Sequence, residues 1–193
     1  EKPFRGERLD EAEITTLFQA RGPDMGSVAQ AADRLRRQLK GDEVTYVVNR
    51  NINYTNVCYF KCQFCAFSKG KLTENLRGDP YVVPLDEIQR RVTEAWDRGA
   101  TEVCMQGGIH PAYTGQTYLD ICRAVKEAQP DMHVHAFSPL EVFQGAETLG
   151  RPLHDYLREL KEAGLDTLPG TAAGLLDDEV RTILCPGKVT TQL

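Results

Sequence analysis

The chain has 193 residues with a net charge of −5, and its 41% hydrophobic and 26% charged residues are those of an ordinary globular domain rather than a disordered or fibrous one. The acidic balance excludes a broad electrostatic grip on nucleic acid. No apolar run long enough to span a membrane and no positive-then-apolar leader occurs, so a cytoplasmic, membrane-free location with reduced thiols is expected of the six cysteines.

Taken in order, Asp10 can cap a helix with Glu13 three residues on, and Met25, Val28, Ala29, Ala32, Leu35 and Leu39 keep helical spacing. Residues 1–43 therefore read as a helical preface to a second region, 44–193. The β-branched and aromatic run Val44–Val48 predicts a first strand, which leads through Asn49–Asn56 to the cysteines.

An alternating pattern follows. Leu85, Ile88, Val92 and Ala95 mark a helix face stopped by Gly99, and Glu102–Met105 reads as a strand. Tyr118, Ile121, Cys122 and Val125 mark the next helix, before the strand His133–Phe137; Leu153, Tyr156, Leu157 and Leu160 mark a third, closed by Gly164 before Leu165–Leu168. Asp177–Leu184 predicts one more helix. Strands alternating with helices imply an α/β fold with right-handed crossovers and a parallel sheet. About four strands are countable, whereas a full (β/α)₈ barrel takes roughly 250 residues. The expectation is a partial TIM-type barrel from a longer polypeptide, truncated after about four strands.

Cys58, Cys62 and Cys65 stand in one loop, with three and then two residues between them. Three converging thiolates can bind a four-iron four-sulfur cluster and leave one iron open to a non-protein ligand. A structural zinc site is the alternative. It takes four ligands in paired short spacings, yet Cys104, Cys122 and Cys185 are scattered and only His133 and His135 sit together. Cys104 and Cys122 read as small core residues in a strand and on an apolar helix face, and Cys185 likewise as structural. The loop follows the first strand, at the carboxyl edge where parallel α/β folds place their sites.

A three-cysteine loop of this spacing after the first strand resembles the radical S-adenosylmethionine (SAM) superfamily. The resemblance implies that the open iron chelates SAM and that electron transfer to the sulfonium releases a 5′-deoxyadenosyl radical. It assigns Phe64 and Phe67 to SAM contacts and Gly107-Gly108 to the SAM amino group, although Ile109 stands where an acidic residue is usual. Ser138, before Pro139, is a further SAM or substrate contact, or an ordinary turn starter. His110 is the candidate proton acceptor, with His133 and His135 as weaker ones. Asn51, Asn53 and Asn56 either orient substrate or tie the strand end to the loop.

Asn49–Asn56, Cys65-Ala66-Phe67, Met105–Pro111, His133–Pro139 and Pro169–Ala173 together resemble the tyrosine-using half of the FO (deazaflavin) synthases. That implies a transferase joining a 4-hydroxybenzyl fragment of L-tyrosine to 5-amino-6-(D-ribitylamino)uracil. A partner radical SAM half, separate or fused, and an external reductant are implied with it. Gly174 departs from the family pattern, where Glu follows Pro-Gly-Thr-Ala-Ala. Two alternatives stay open at this point: a radical SAM enzyme of the futalosine menaquinone route, and a non-catalytic cluster- or zinc-binding module.

Overall fold

The computed structural model describes residues 1–60, 62, 65, 79–169 and 176–188. They divide into two compact units, Glu1–Tyr46 and Val47–Leu193. In the first, a 3₁₀ turn at Lys2–Arg5 precedes helices α1 (Glu11–Phe18) and α2 (Pro23–Lys40). Asp10 and Glu13 form the expected capping box, each side chain bonded to the other's backbone N–H at 2.9 Å. The Arg34 guanidinium lies 3.9 Å above the Phe4 ring, a cation–π contact that ties the 3₁₀ turn to α2.

The second unit is an α/β array with three parallel strands: β1 (Asn49–Asn53), β2 (Glu102–Gln106) and β3 (His133–Ala136), in spatial order β1-β2-β3. Register aligns Asn51 with Cys104 and Cys104 with His135. Helices α3 (Leu85–Asp97), α4 (Gly115–Ala128), α5 (Pro139–Leu149), α6 (Leu153–Glu162) and α7 (Asp178–Leu184) complete the described elements. The fourth strand is reduced to one parallel bridge, His135 with Thr167, in which the Ala136 N–H donates to the Thr167 carbonyl at 3.0 Å.

Three helices form where the sequence places them. α3 buries Ile88, Val92 and Ala95, carries Asp86 and Glu87 in its first turn, and ends before Gly99 at φ +86°. α4 buries Tyr118, Leu119, Ile121, Cys122 and Val125; α6 buries Tyr156 and Leu160. These side chains share one core with Ile52, Val103, Met105, Val134 and Ala136, the alternate residues of the three strands. Each large apolar side chain removed from water there stabilises the fold by roughly 1.5–3 kcal/mol.

Two expectations are corrected. Val44–Val48 forms no strand: Val44 and Tyr46 are exposed, and β1 begins only at Asn49. The reason is pairing rather than propensity. β2 starts at Glu102, directly after the Gly99 turn, so the ladder begins at Asn49↔Glu102 and the bond from the Thr101 N–H to the Val48 carbonyl is its last link. Ser138-Pro139 opens not a loose turn but α5, with Pro139 at the first helical position, where its missing N–H costs nothing.

Candidate functional site

The carboxyl ends of three parallel strands lie side by side, so β1 delivers Tyr54–Cys58, β2 delivers Gly107–His110 and β3 delivers Phe137-Ser138 to one edge. Backbone bonds join the first two: the Gly108 N–H donates to the Thr55 carbonyl at 3.0 Å and the Tyr59 N–H to the Ile109 carbonyl at 3.1 Å. The approach is so close that only glycine fits. A Cβ on Gly107 would stand 2.3 Å from the Tyr54 ring, and one on Gly108 2.2 Å from the Val57 carbonyl oxygen and 2.8 Å from the Cys58 Cβ.

The chain beyond the cysteine loop is fastened to the same edge. The Thr55 hydroxyl donates to the Tyr81 carbonyl at 2.7 Å, the Asn56 amide N–H to the Asp79 carbonyl at 3.0 Å, and the Tyr81 N–H to the Asn56 amide oxygen at 2.8 Å. Thr55 and Asn56 are buried, and both ends of the Asn56 amide are committed to this backbone. Asn56 therefore ties the strand end to the chain beyond the loop through both its amide nitrogen and its amide oxygen.

Cys58 and Cys62 are buried in an apolar cluster with Phe60, Ile109, Leu140 and Cys185, against which Cys65 and Leu184 pack. All six cysteines are free thiols. Burial pushes the Cys58 thiol up, while the backbone amides of Ile109 and Phe60 and the charge of Lys188 favour its thiolate. Cys62 is pushed up to about 11, first by burial and then by its hydrogen bond with Cys185; Cys65 adds repulsion to both. The three thiols thus share one electrostatic neighbourhood, and Cys185, expected only as a structural residue, joins them from the C-cap of α7.

Three thiols in an apolar surround, with backbone amides beside Cys58, have the chemistry an iron–sulfur cluster takes. A multi-iron cluster takes each thiolate on a different iron, so its ligands stand further apart than those of a single ion, and it prefers an apolar surround with amides aimed at sulfur.

Behind the edge lies a carboxylate that sequence reasoning missed. Glu141, in the first turn of α5, accepts from the Ser138 N–H at 2.6 Å and the Ser138 hydroxyl at 2.5 Å on one oxygen, and from the Tyr54 hydroxyl on the other. Burial pushes its pKa up to about 8 against the opposing pull of the Ser138 and Gly107 backbone amides. The signal was present as Ser138-x-x-Glu141, a capping-box spacing just ahead of an apolar helix. Phe137, immediately before it, is the one non-glycine at positive φ (67°) among the described residues, and this left-handed step turns the chain from β3 into the cap.

His110 follows the glycine pair. Its Nδ1 accepts from the Ala112 N–H at 3.1 Å and its ring stacks on Tyr113 with centroids 4.7 Å apart. With Nδ1 occupied as an acceptor, the neutral ring carries its proton on Nε2 and presents a donor. On the sheet face away from the helices, His133 Nε2 and His135 Nδ1 both reach the Thr167 hydroxyl, at 2.9 and 2.6 Å. A cleft of about 420 Å³ includes Asn51, Asn53, Tyr81 and Arg91 but none of the cysteines or glycines. Phe64, Phe67 and Gly174 lie outside the described residues.

The comparisons with known proteins agree with this geometry. The chain is 51% identical over 95% of its length to an FO synthase of Streptomyces avermitilis, of which it spans 21%. It is 45% identical over 98% of its length to the 5-amino-6-(D-ribitylamino)uracil–L-tyrosine 4-hydroxyphenyl transferase of Methanocaldococcus jannaschii, of which it spans 52%. Among solved structures, the FeFe-hydrogenase maturase HydG from Carboxydothermus hydrogenoformans superposes with a TM-score of 0.71 at 18% identity, covering 98% of this chain and 41% of that one. The radical SAM superfamily model matches residues 52–192, and with the three-thiol cluster at the carboxyl edge of a parallel sheet this places the chain in the radical SAM superfamily.

Proposed function

We propose that this chain provides the cluster- and SAM-binding part of a transferase that joins the 4-hydroxybenzyl fragment of L-tyrosine to 5-amino-6-(D-ribitylamino)uracil. The observation that carries this reading is the 45% identity, sustained over 98% of the chain, to a relative named for a tyrosine and ribitylaminouracil transferase. The FO synthase relatives support the same chemistry and, being about five times longer than the matched segment, leave room for the partner radical SAM half. An external reductant belongs to the proposal. So does the division into a helical preface, 1–43, and the first part of the barrel, 44–193.

Members of this superfamily use a four-iron four-sulfur cluster and SAM, which when bound supply reductive cleavage of the sulfonium and a hydrogen-abstracting radical. Cys58, Cys62 and Cys65 would hold the cluster, in an apolar pocket that keeps water from the sulfurs. Gly107 and Gly108 would hold SAM through backbone groups, since neither has a side chain to block the approach. Phe64 and Phe67 keep their expected SAM contacts in this proposal. Ser138 has its single hydroxyl proton committed to Glu141, so it would meet SAM as an acceptor rather than a donor. His110 would act on the tyrosine side of the site, donating from Nε2 in its neutral form and accepting there only once Nδ1 is released from Ala112.

The sheet face opposite the helices offers polar side chains, with Asn51, Cys104 and His135 in one register row. Such a wall suits a polyhydroxylated, amide-bearing substrate. The test is anaerobic turnover by the full-length protein with a strong reductant, SAM, tyrosine and ribitylaminouracil. Consumption of both substrates in step with 5′-deoxyadenosine is expected. Turnover of a futalosine-route substrate in their place, or nucleoside release indifferent to both, would overturn the assignment.

A further inference from the structure

Glu141 is 2% exposed, yet its carboxylate is not isolated. It gathers the Tyr54 hydroxyl from the end of β1, the Gly107 amide from the end of β2, and the Ser138 amide and hydroxyl from the end of β3. Four donors match the roughly four lone-pair positions the carboxylate has once it ionises, above about pH 8. Helix capping alone explains little of this. The box at Asp10 and Glu13 does the same work for α1 with both residues at the surface and, among the described residues, no partner beyond the cap and Lys2.

Burying a carboxylate is costly, and an apolar side chain of similar size would serve the core more cheaply. What an apolar side chain cannot do is hold three strand ends at once. Those ends lead directly to the parts that meet the cofactors: Tyr54 precedes Cys58 by four residues on a tied segment, Gly107 begins the glycine pair, and Ser138 faces the same edge. We propose that Glu141 is a positioning residue for SAM, a buried clamp that sets the glycine pair and Ser138 against the cysteine loop.

The proposal rests on the assignment of Gly107, Gly108 and Ser138 to SAM, and not on the identity of the substrates. The Tyr54 ring is part of the same device, because it packs against Gly107 while its hydroxyl holds Glu141. Removing that hydroxyl alone keeps the ring and loosens the clamp at one of its points.

The experiment uses the full-length protein, reconstituted anaerobically, as the parent, E141Q, Y54F and the control E13Q. Iron and sulfide content, the spectrum of the reduced cluster with and without SAM, and the SAM dissociation constant are measured. Gln keeps the capping role but puts two donors where the carboxylate accepted. At pH 9, where Glu141 is ionised, E141Q is expected to hold a parental cluster while its SAM dissociation constant rises by about tenfold or more, as loss of a hydrogen bond to a charged group would give. Y54F should shift in the same direction by less, and E13Q should not shift. Parental SAM affinity and a parental SAM-induced spectral change in E141Q would overturn the proposal. So would a loss of SAM binding that merely tracks lost iron. If E141Q does not fold, Y54F decides: full iron with parental SAM affinity sinks the clamp. Because no substrate is present, a protein that binds SAM as expected but leaves tyrosine untouched would refute the proposed function and not this inference.

Discussion

Replacing Gly108 with Ala tests whether the glycine pair is dictated by the cysteine loop. Gly108 carries no positive φ, so the substitution meets no backbone penalty of its own and its whole effect is contact. The new methyl carbon would lie 2.2 Å from the Val57 oxygen, 2.7 Å from the Val57 carbonyl carbon and 2.8 Å from the Cys58 Cβ. Carbon contacts are comfortable at about 3.5–4.0 Å, so the two segments must part by about 1 Å. The atoms in the way are mostly backbone and have no rotamer to change. Two bonds clip the segments together on either side, Gly108 to Thr55 and Tyr59 to Ile109, and both stretch if the gap opens. Overpacking and two weakened bonds together cost about 3 kcal/mol or more. For a chain of this size that is a fall in Tm of about 6–12 °C. Gly150→Ala is the control: φ is +61° but nothing lies within 4 Å, so strain alone applies, about 1–2 kcal/mol. Thermal unfolding and iron content after anaerobic reconstitution are the assays. G108A should lose both stability and iron, because Cys58 moves with Val57, whereas G150A should lose only a little stability. A G108A protein with parental iron that melts within about 2 °C of the parent would refute the reasoning.

Three further outcomes are expected. Asn56→Ala removes the part-buried bonds to the Tyr81 N–H and the Asp79 carbonyl, about 0.5–1.5 kcal/mol each, and should cost about 1–3 kcal/mol in urea unfolding, with Asn51→Ala near neutral as comparison. Ala at Cys58, Cys62 or Cys65 should abolish iron binding, whereas Ala at Cys122, a thiol pushed up to about 12 by burial in the helical core, should retain it; iron per chain is the readout. Glu141 binds its proton more tightly folded than unfolded, so its contribution to stability is complete below about pH 4.5 and fades as pH rises toward about 8. The Tm difference between parent and E141Q, measured from pH 5 to 9, should therefore move against the parent as pH rises, and a flat difference would refute the assignment.

Much of the site was legible because local chemistry carries it. Cysteine spacing, the glycine pair and the periodic faces of α3, α4 and α6 depend on residues close in sequence. β1 was not legible: the strong β-formers Val44–Val48 stay exposed while the polar run Asn49–Asn53 pairs, because a strand exists only where a partner does, and β2 begins at Glu102. α5 was hidden by reading Ser-Pro as a turn when the third residue on, Glu141, marked a capping box. The nearness of Cys185 to Cys62 and of Tyr54 to Glu141 joins residues 123 and 87 positions apart, separations across which no spacing rule reaches.

The polar face of the sheet follows from the same placement. Barrels whose interior is pure packing fill it with branched apolar residues. Here the strand residues that pack on the helices are Ile52, Val103, Met105, Val134 and Ala136, and the alternates between them are Asn51, Asn53, Cys104, Gln106, His133 and His135. The two histidines share the Thr167 hydroxyl, which has one proton to give. When that proton goes to His135, His133 must donate its own Nε2–H to the same oxygen, and the reverse holds when it goes to His133. The tautomers of the two rings are thereby coupled, and the Glu102 carboxylate 3.8 Å from His133 Nε2 favours a proton on that nitrogen. His133 then donates, the Thr167 hydroxyl donates its hydrogen bond to His135 Nδ1, and His135 carries its own proton on Nε2. A face organised in this way offers fixed donors and acceptors where a packing interior would offer methyl groups.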